Sequence, residues 1–318
     1  MNRLIVLSPV YNDWESARIL AHELGSALTG MPHQVTLVFV DDGSTSSCDW
    51  NRTTFRGIAG LRSVEVLRLT RNLGHQRAIA IGLGHVCAKL KPSSVVILDS
   101  DGEDQPADVR RLVEESERSP DQIIFARRAR RSEDWRFRAF YLLYRMLFRV
   151  LTGAGIAFGN FSIVPAALLR HVVHLPEIWN HYAAGVLRAN SPHREIATSR
   201  GRRYAGESRM SFVALLLHGL SAISVYIEVV TARLIVGVLG MILLIGVGFL
   251  VILYVRYFTS LAIPGWATYM VMALIVIGLQ SILFAAMLAI LVLHYRTNKL
   301  FVPATDYAAF VRDVDQWK

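Results

Sequence analysis

Val95-Val-Ile-Leu-Asp-Ser-Asp-Gly-Glu-Asp-Gln-Pro106 is the stretch on which the reading of this chain turns. The four apolar residues Val95 to Leu98 read as a buried strand, and Asp99, Ser100 and Asp101 follow where that strand should end. Carboxylates two positions apart on an extended backbone point the same way, so Asp99 and Asp101 are candidate ligands of one hard divalent cation. A cation at the carboxyl end of a parallel strand fits a site for a nucleotide diphosphate. Taken alone, Asp-Ser-Asp-Gly is also a common polar turn. The sequence on either side has to separate the two.

Working outward, apolar runs alternate with helical spacing. Leu4 to Ser8 reads as a strand that breaks at Pro9-Val-Tyr-Asn-Asp13, and Trp14 to Leu28 reads as a helix. Gln34 to Val40 is a second strand ending in Asp41-Asp-Gly-Ser44, and Val64 to Leu69 is a third. Ala78 to Leu90 carries helical spacing before the Asp99 strand, and Asp104 begins a helix that runs to Ser119. Gln122 to Ala126 and Glu195 to Thr198 read as further strands, with a short helix over Pro165 to His174. This alternation predicts an α/β fold, a mainly parallel Rossmann-like sheet with crossover helices. The polar strand ends should then converge on one rim, where open α/β sheets bind ligands.

Composition adds a membrane. The chain has 318 residues, 53% of them hydrophobic, and a mean hydropathy of +0.37, high for a soluble protein. The excess sits in Leu234 to Val255 and Met270 to His294, each longer than the roughly 20 residues that span a bilayer. Six segments follow: a catalytic domain over 1–210, an amphipathic interfacial helix over 211–232, spans over 233–256 and 269–295 joined by an external loop at 257–268, and a tail over 296–318. The start of the chain reads without a cleavable leader. Arg209, Arg233, Arg296 and Lys299 flank the spans on one side and only Arg256 edges the loop, so the positive-inside rule predicts a multi-pass protein of the inner (cytoplasmic) membrane with its catalytic domain and both termini in the cytoplasm. Cys48 and Cys87 lack metal spacing and read as reduced thiols. Gly237, Gly240, Gly246 and Gly248 would let the first span pack closely, consistent with a homo-oligomer.

A net charge of +9 raises nucleic acid as a partner, but the basic residues suit a membrane better and nothing matches a nucleic-acid-binding signature. Between Arg127 and Arg149 there are eight arginines interleaved with aromatics, a pattern that fits anionic headgroups or a phosphate beside them. His75, His171, His174 and His181 are spaced unlike any common metal-ligand pattern.

Pro9-Val-Tyr-Asn-Asp13, Val40-Asp-Asp-Gly-Ser44, Arg71-Asn-Leu-Gly-His75 and Leu98-Asp-Ser-Asp-Gly-Glu-Asp-Gln-Pro106 together resemble the ordered motifs of inverting family 2 glycosyltransferases with a GT-A fold. With two spans after Arg203-Tyr-Ala-Gly-Glu-Ser-Arg209, the chain is more narrowly similar to polyprenyl-phosphate glycosyltransferases, the group of dolichol-phosphate mannose synthases and bacterial undecaprenyl-phosphate glucosyltransferases. The resemblance implies transfer of a hexosyl unit from a UDP- or GDP-sugar to a polyprenyl phosphate. It implies Mg²⁺ or Mn²⁺ on Asp99, Asp101 and Glu103, and a nucleotide-sugar pocket of Pro9, Tyr11, Asp13, Asp41, Asp42, Arg203 and Arg209. The lipid phosphate would fall to Arg127, Arg128 and Arg130, whose planar forks hold phosphate oxygens and stay charged. Asp99, Asp101, Asn160, Arg127 and Arg130 make up the implied catalytic set.

One position departs from the pattern. Gly159-Asn-Phe-Ser162 stands where relatives often have Gly-Asp-Phe-Arg, and Asn160 cannot take a proton at neutral pH. An ionised phosphate acceptor needs no base, whereas a hydroxyl acceptor does. Two alternatives stay open at this point: a family 2 transferase acting on another membrane lipid or a polysaccharide, and an inactive membrane scaffold of the same fold.

Overall fold

The computed structural model describes every residue except 1, 51–53, 129–134, 156–157, 206–211 and 318, and for 128, 135–141, 143 and 212–215 only the backbone. In chain order the elements are β1 (Arg3–Val10), α1 (Trp14–Leu28), β2 (Gln34–Asp41), β3 (Ser63–Leu69), α2 (His75–His85, prolonged by a π turn, Val86–Leu90), β4 (Ser94–Ile97), α3 (Pro106–Arg118) and β5 (Ile123–Arg128). Then come α4 (Trp135–Thr152), β6 (Ser162–Pro165), α5 (Ala166–Val172), α6 (Tyr182–Arg188), β7 (His193–Thr198), α7 (Phe212–Ser224), α8 (Ile227–Phe258), α9 (Trp266–Thr297), α10 (Pro303–Asp306) and β8 (Val311–Trp317).

The strands form one mixed sheet in the order β7-β5-β6-β4-β1-β2-β3-β8. From β4 to β3 the pairing is parallel; β6 runs antiparallel to β4, and β8 antiparallel to β3. Parallel strands covered on both faces need apolar residues throughout, and β1 is buried from Leu4 to Val10. Alternate residues divide between two cores. Leu4, Val6, Leu37 and Phe39 pack under α1 and α3, while Ile5, Leu7, Val38 and Val40 pack under α2. On α1 the stripe Trp14, Ala17, Leu20, Ala21, Leu24 and Leu28 is buried, each large member contributing about 1.5–3 kcal/mol. Pro106 opens α3 at a position where its missing N–H costs nothing.

The chain divides into two compact units. One comprises residues 1–144, 155–225 and 300–318, and the other 145–154 and 226–299. In the first unit, the segment read from the sequence as a tail returns to the sheet: β8 pairs with β3, Tyr307 joins the α2 core, and Arg68 of β3 binds Asp315 at 2.9 Å. Also in this unit, α7 buries Ala222 and leaves Leu216, Leu217 and Leu220 exposed, while Tyr144 donates to the Gly219 carbonyl at 3.3 Å.

In the second unit, α8 and α9 are 32 residues each and apolar enough to cross a membrane. At 1.5 Å per residue each is about 48 Å long, against a hydrocarbon core of about 30 Å. The boundaries differ from the expected ones. The helix predicted over 211–232 ends at Ser224, and residues from Ile227 onward belong to α8. Glu228 sits in the first turn of α8 and receives Arg296 Nε at 2.8 Å, so it carries its own counter-ion.

Candidate active site

The site lies within the first unit, at the carboxyl ends of β1, β2 and β4. Three loops meet there, held by side-chain to backbone bonds. Asn12, in the left-handed region that Asn tolerates (φ 52), accepts from the Thr45 and Ser46 amides at 2.8 and 2.9 Å and so ties the β1 loop to the β2 loop. Asp41 Oδ1 accepts from the Ser44 amide at 2.8 Å, and its other oxygen stands 4.0 Å from Arg68 Nε. Buried Asp42 takes the Leu73 and Gly74 amides at 2.7 and 2.8 Å. Burial raises the Asp42 pKa, partly offset by those two amides. Asp42 therefore fixes the start of α2.

In the carboxylate loop, buried Asp104 accepts from the Asp99 amide at 3.1 Å and sets the turn. Asp101 Oδ1 accepts from the Glu103 amide at 2.9 Å, while Oδ2 receives Arg203 Nη2 at 2.6 Å and Nε at 3.2 Å. Burial and then the nearby Asp99 charge push the Asp101 pKa up, against the pull of the Glu103 amide and Arg203. For Arg203, burial is outweighed by Asp101, Glu103 and Asp13, so the charge of the β1 loop reaches the same place.

The segment after β7 is strapped across this loop. Gly201 N–H donates to the Glu103 carbonyl at 2.9 Å and Tyr204 N–H to the Asp101 carbonyl at 3.0 Å. Gly102 makes the close approach possible: its φ is +86°, and a Cβ there would stand 2.8 Å from the Tyr204 ring and 2.9 Å from the Arg202 carbonyl. Gly102→Ala is expected to cost about 1–2 kcal/mol for the left-handed backbone alone, and more for the clash. A lower melting temperature together with weaker nucleoside diphosphate binding, measured by calorimetry, is the expected result; an unchanged pair of values would show that the strap can give way.

The donor set fits a hard divalent cation at Asp99 and Asp101, two carboxylates near enough for one to oppose ionisation of the other. Glu103, the third carboxylate of the expected set, accepts at Oε1 from Arg200 Nη2 at 2.6 Å. Among the described residues no group of three or more His, Cys, Asp or Glu side chains is gathered for a metal.

Asn160 lies beside Asp99 through His75, a residue weighed from the sequence only within a motif and as a metal ligand and given no place in the site. His75 Nε2 is 3.2 Å from Asp99 Oδ1 and 3.0 Å from Asn160 Nδ2. Burial opposes a charge on His75, but Asp99, then Asp104 and Asp42, outweigh it and raise its pKa. Asn160 Oδ1 accepts from Gln76 Nε2 at 3.2 Å. The only local signal for His75 was its place in Arg71-Asn-Leu-Gly-His75, at a helix start.

The other expected residues lie as follows. Pro9 is buried one residue before the end of β1, and Tyr11 is exposed just beyond the strand. Arg127 is exposed on β5, with Nη1 3.1 Å from Glu195, and Arg128 closes that strand. Arg130 and Arg209 lie outside the described residues. Of the four histidines considered together, His181 is buried and caps α6, its ring 4.8 Å from that of His218 on α7. Burial, then His218 and His75, hold its pKa down to about 3.

The chain is similar to known proteins in sequence and in fold. The chain is 26% identical over 227 residues to undecaprenyl-phosphate 4-deoxy-4-formamido-L-arabinose transferase of Klebsiella pneumoniae (strain 342), covering 68% of this chain and 65% of that protein. The Enterobacter sp. (strain 638) protein of the same name is 27% identical over the same length and shares. The chain thus spans just under two thirds of these relatives. In fold it is similar to mannosyl-3-phosphoglycerate synthase from Rubrobacter xylanophilus, with a TM-score of 0.53, 14% identity, and coverage of 70% of this chain and 72% of that one. Glucosyl-3-phosphoglycerate synthase from Mycobacterium tuberculosis, solved with Mn²⁺, UDP-glucose and phosphoglyceric acid, has a TM-score of 0.51, 17% identity, and coverage of 72% and 80%. The family model described as glycosyl transferase family 2 matches residues 5–173, more than half of the sequence and the whole of the sheet rim built by β1, β2 and β4: the chain belongs to glycosyltransferase family 2.

Proposed function

We propose that this protein is a membrane-bound inverting glycosyltransferase that moves a hexosyl unit from a UDP- or GDP-sugar to a polyprenyl phosphate. The observation that carries the reading is the pairing, in one chain, of a family 2 carboxylate loop at the end of β4 with two 32-residue apolar helices. Relatives named for undecaprenyl phosphate support the acceptor.

In this reading Asp41, Pro9 and Tyr11 line the nucleotide pocket, Asp42 holds its floor, and Asp13, Arg203 and Arg209 face the diphosphate. Asp99, Asp101 and Glu103 would hold Mg²⁺ or Mn²⁺, which when bound would supply Lewis-acid stabilisation of the departing diphosphate. Arg127, Arg128 and Arg130 grip the lipid phosphate and aim it at the anomeric carbon from the face opposite the leaving group. A phosphate oxygen forms the new bond to that carbon as the bond to the diphosphate breaks, and its electron pair leaves with the nucleotide. The acceptor is already an anion, so no proton moves and Asn160 suffices where a hydroxyl acceptor would need a base.

Both termini lie in the cytoplasm in this reading and the hairpin crosses the inner membrane. Arg233, Arg296 and Lys299 support that orientation, and the β3–β8 pairing supports an even number of crossings between residues 225 and 300. The test is incubation of the purified chain with radiolabelled nucleotide sugars, Mn²⁺ and undecaprenyl phosphate. Label should enter the lipid phase, and label on another acceptor, or none released from any donor, would overturn the reading.

A further inference from the structure

Three charged residues stand in one row across the outer strands of the sheet. Asp41 ends β2, Arg68 is its register partner on β3, and Asp313 is the register partner of Arg68 on β8. Side chains alternate between the faces of a strand, so Asp41 follows Leu37 and Phe39, and Arg68 follows Val64 and Val66, onto the face that packs under α1. Asp313, Asp315 and Trp317 share the matching face of β8, where Trp317 packs against the same core. Opposite charges facing each other across strands attract. Arg68 therefore has carboxylates on both sides.

The distances show which side holds it. Arg68 Nη1 bonds Asp315 Oδ2 at 2.9 Å and lies 3.8 Å from Asp313 Oδ1, whereas Nε stands 4.0 Å from Asp41 Oδ2, beyond hydrogen-bond reach. Asp313 Oδ1 is buried without a hydrogen bond among the described residues and faces the Arg68 charge, while its Oδ2 receives Arg312 Nε at 2.9 Å. Asp41 has its Oδ1 on the Ser44 amide at 2.8 Å. The oxygen that this amide does not take, Oδ2, is the one a guanidinium released from β8 would cover. With the Arg68 side chain 21% exposed and that of Asp41 7%, salt and water screen such a pairing weakly.

Resting on the donor reading above, in which Asp41 lines the nucleotide pocket, we infer that Asp313 and Asp315 are positioning residues for nucleotide binding: they hold Arg68 toward β8 and off Asp41 Oδ2, keeping that oxygen for an N–H of the base or a hydroxyl of the ribose. The strand that closes the sheet thus acts on the pocket from two strands away, through one guanidinium.

The experiment asks whether removing Arg68 repairs what removing the β8 carboxylates damages. Full-length wild type, the pair variant Asp313→Ala with Asp315→Ala, Arg68→Gln, the triple variant carrying all three changes, and Asp41→Ala are titrated calorimetrically with UDP and GDP in detergent with Mn²⁺, and a melting curve is taken on each preparation. For the tighter diphosphate the pair variant should bind about threefold or more weakly, the scale of one partly screened ion pair, because Arg68 closes on Asp41. Arg68→Gln alone should stay within about twofold of wild type, and the triple variant should return to that level. Recovery separates positioning from support of the sheet, since a carboxylate that only stabilised β8 would not be replaced by losing its partner as well. A smaller loss in the pair variant, no recovery in the triple, or a loss in Arg68→Gln as large as in the pair overturns the inference. Should the pair variant fail to fold, Asp315→Ala with and without Arg68→Gln is read by the same criteria. Wild type that binds neither diphosphate, or Asp41→Ala that binds as wild type does, overturns the donor reading on which the inference rests.

Discussion

Asp101→Asn is expected to lower transfer into the lipid phase by about 10²–10³-fold, the scale seen when one element of a preorganised charge-stabilising site is lost. The substitution is nearly isosteric and can keep the acceptor that holds the Glu103 amide at 2.9 Å. What it removes is the charge: burial and Asp99 raise the Asp101 pKa, and the Glu103 amide and Arg203 offset part of that rise. With a neutral amide, Arg203 Nη2 loses the oxygen at 2.6 Å, and in the proposed reading the cation loses one of its anionic ligands. Stability should change far less than rate. The pair is 15% and 30% exposed, so screening limits its contribution to about 1 kcal/mol or less. Initial transfer rates, Mn²⁺ titration and a melting curve on the same preparation check all three; transfer within threefold of wild type would remove Asp101 from the machinery.

Ending the chain at Lys299 is expected to be the most damaging change to stability. Residues 300–318 supply β8, the buried Tyr307, and Phe301 and Phe310 packed against Trp179. Arg68 would lose Asp315, and Glu65, whose pKa is raised by burial against the pull of Gln316, would lose that partner. Three large side chains at about 1.5–3 kcal/mol each give a loss of roughly 5–9 kcal/mol. For a unit of this size that is a fall of about 10–30 °C in melting temperature. Differential scanning calorimetry of the truncated protein in detergent measures it, and a shift below about 3 °C would mean that β8 decorates the sheet without supporting it.

The parts of the fold legible in the sequence were those whose signal is local. The stripe on α1 and the apolar runs of β1 to β4 announce themselves because parallel strands buried on both faces must be continuously apolar. β8 did not, because Val311-Arg-Asp-Val-Asp-Gln-Trp317 alternates polar and apolar residues, as an antiparallel edge strand does and as a polar tail also does. β6 is four residues ending in proline, too short to show a period. In the site, the loop of Asp99 and Asp101 was legible because it follows an apolar run, although β4 ends at Ile97 and both carboxylates sit in the turn beyond it and not on extended strand. His75 and Asn160 are 85 positions apart, and only the antiparallel return of β6 against β4 brings Asn160 to the Asp99 rim. No local pattern encodes such a meeting.

The pairing of β3 with β8 also orders events in time. Val64 meets Trp317 across the whole length of the apolar hairpin, so the strand that covers the β3 edge is made only after both apolar helices. Until α8 and α9 have been synthesised, β3 stands as an open edge, the kind of surface on which sheets join wrongly to other chains. Contacts this distant in sequence form late, after the loop between them is closed. Completion of the sheet therefore waits on synthesis of both apolar helices, and until then the nascent unit carries an open β3 edge.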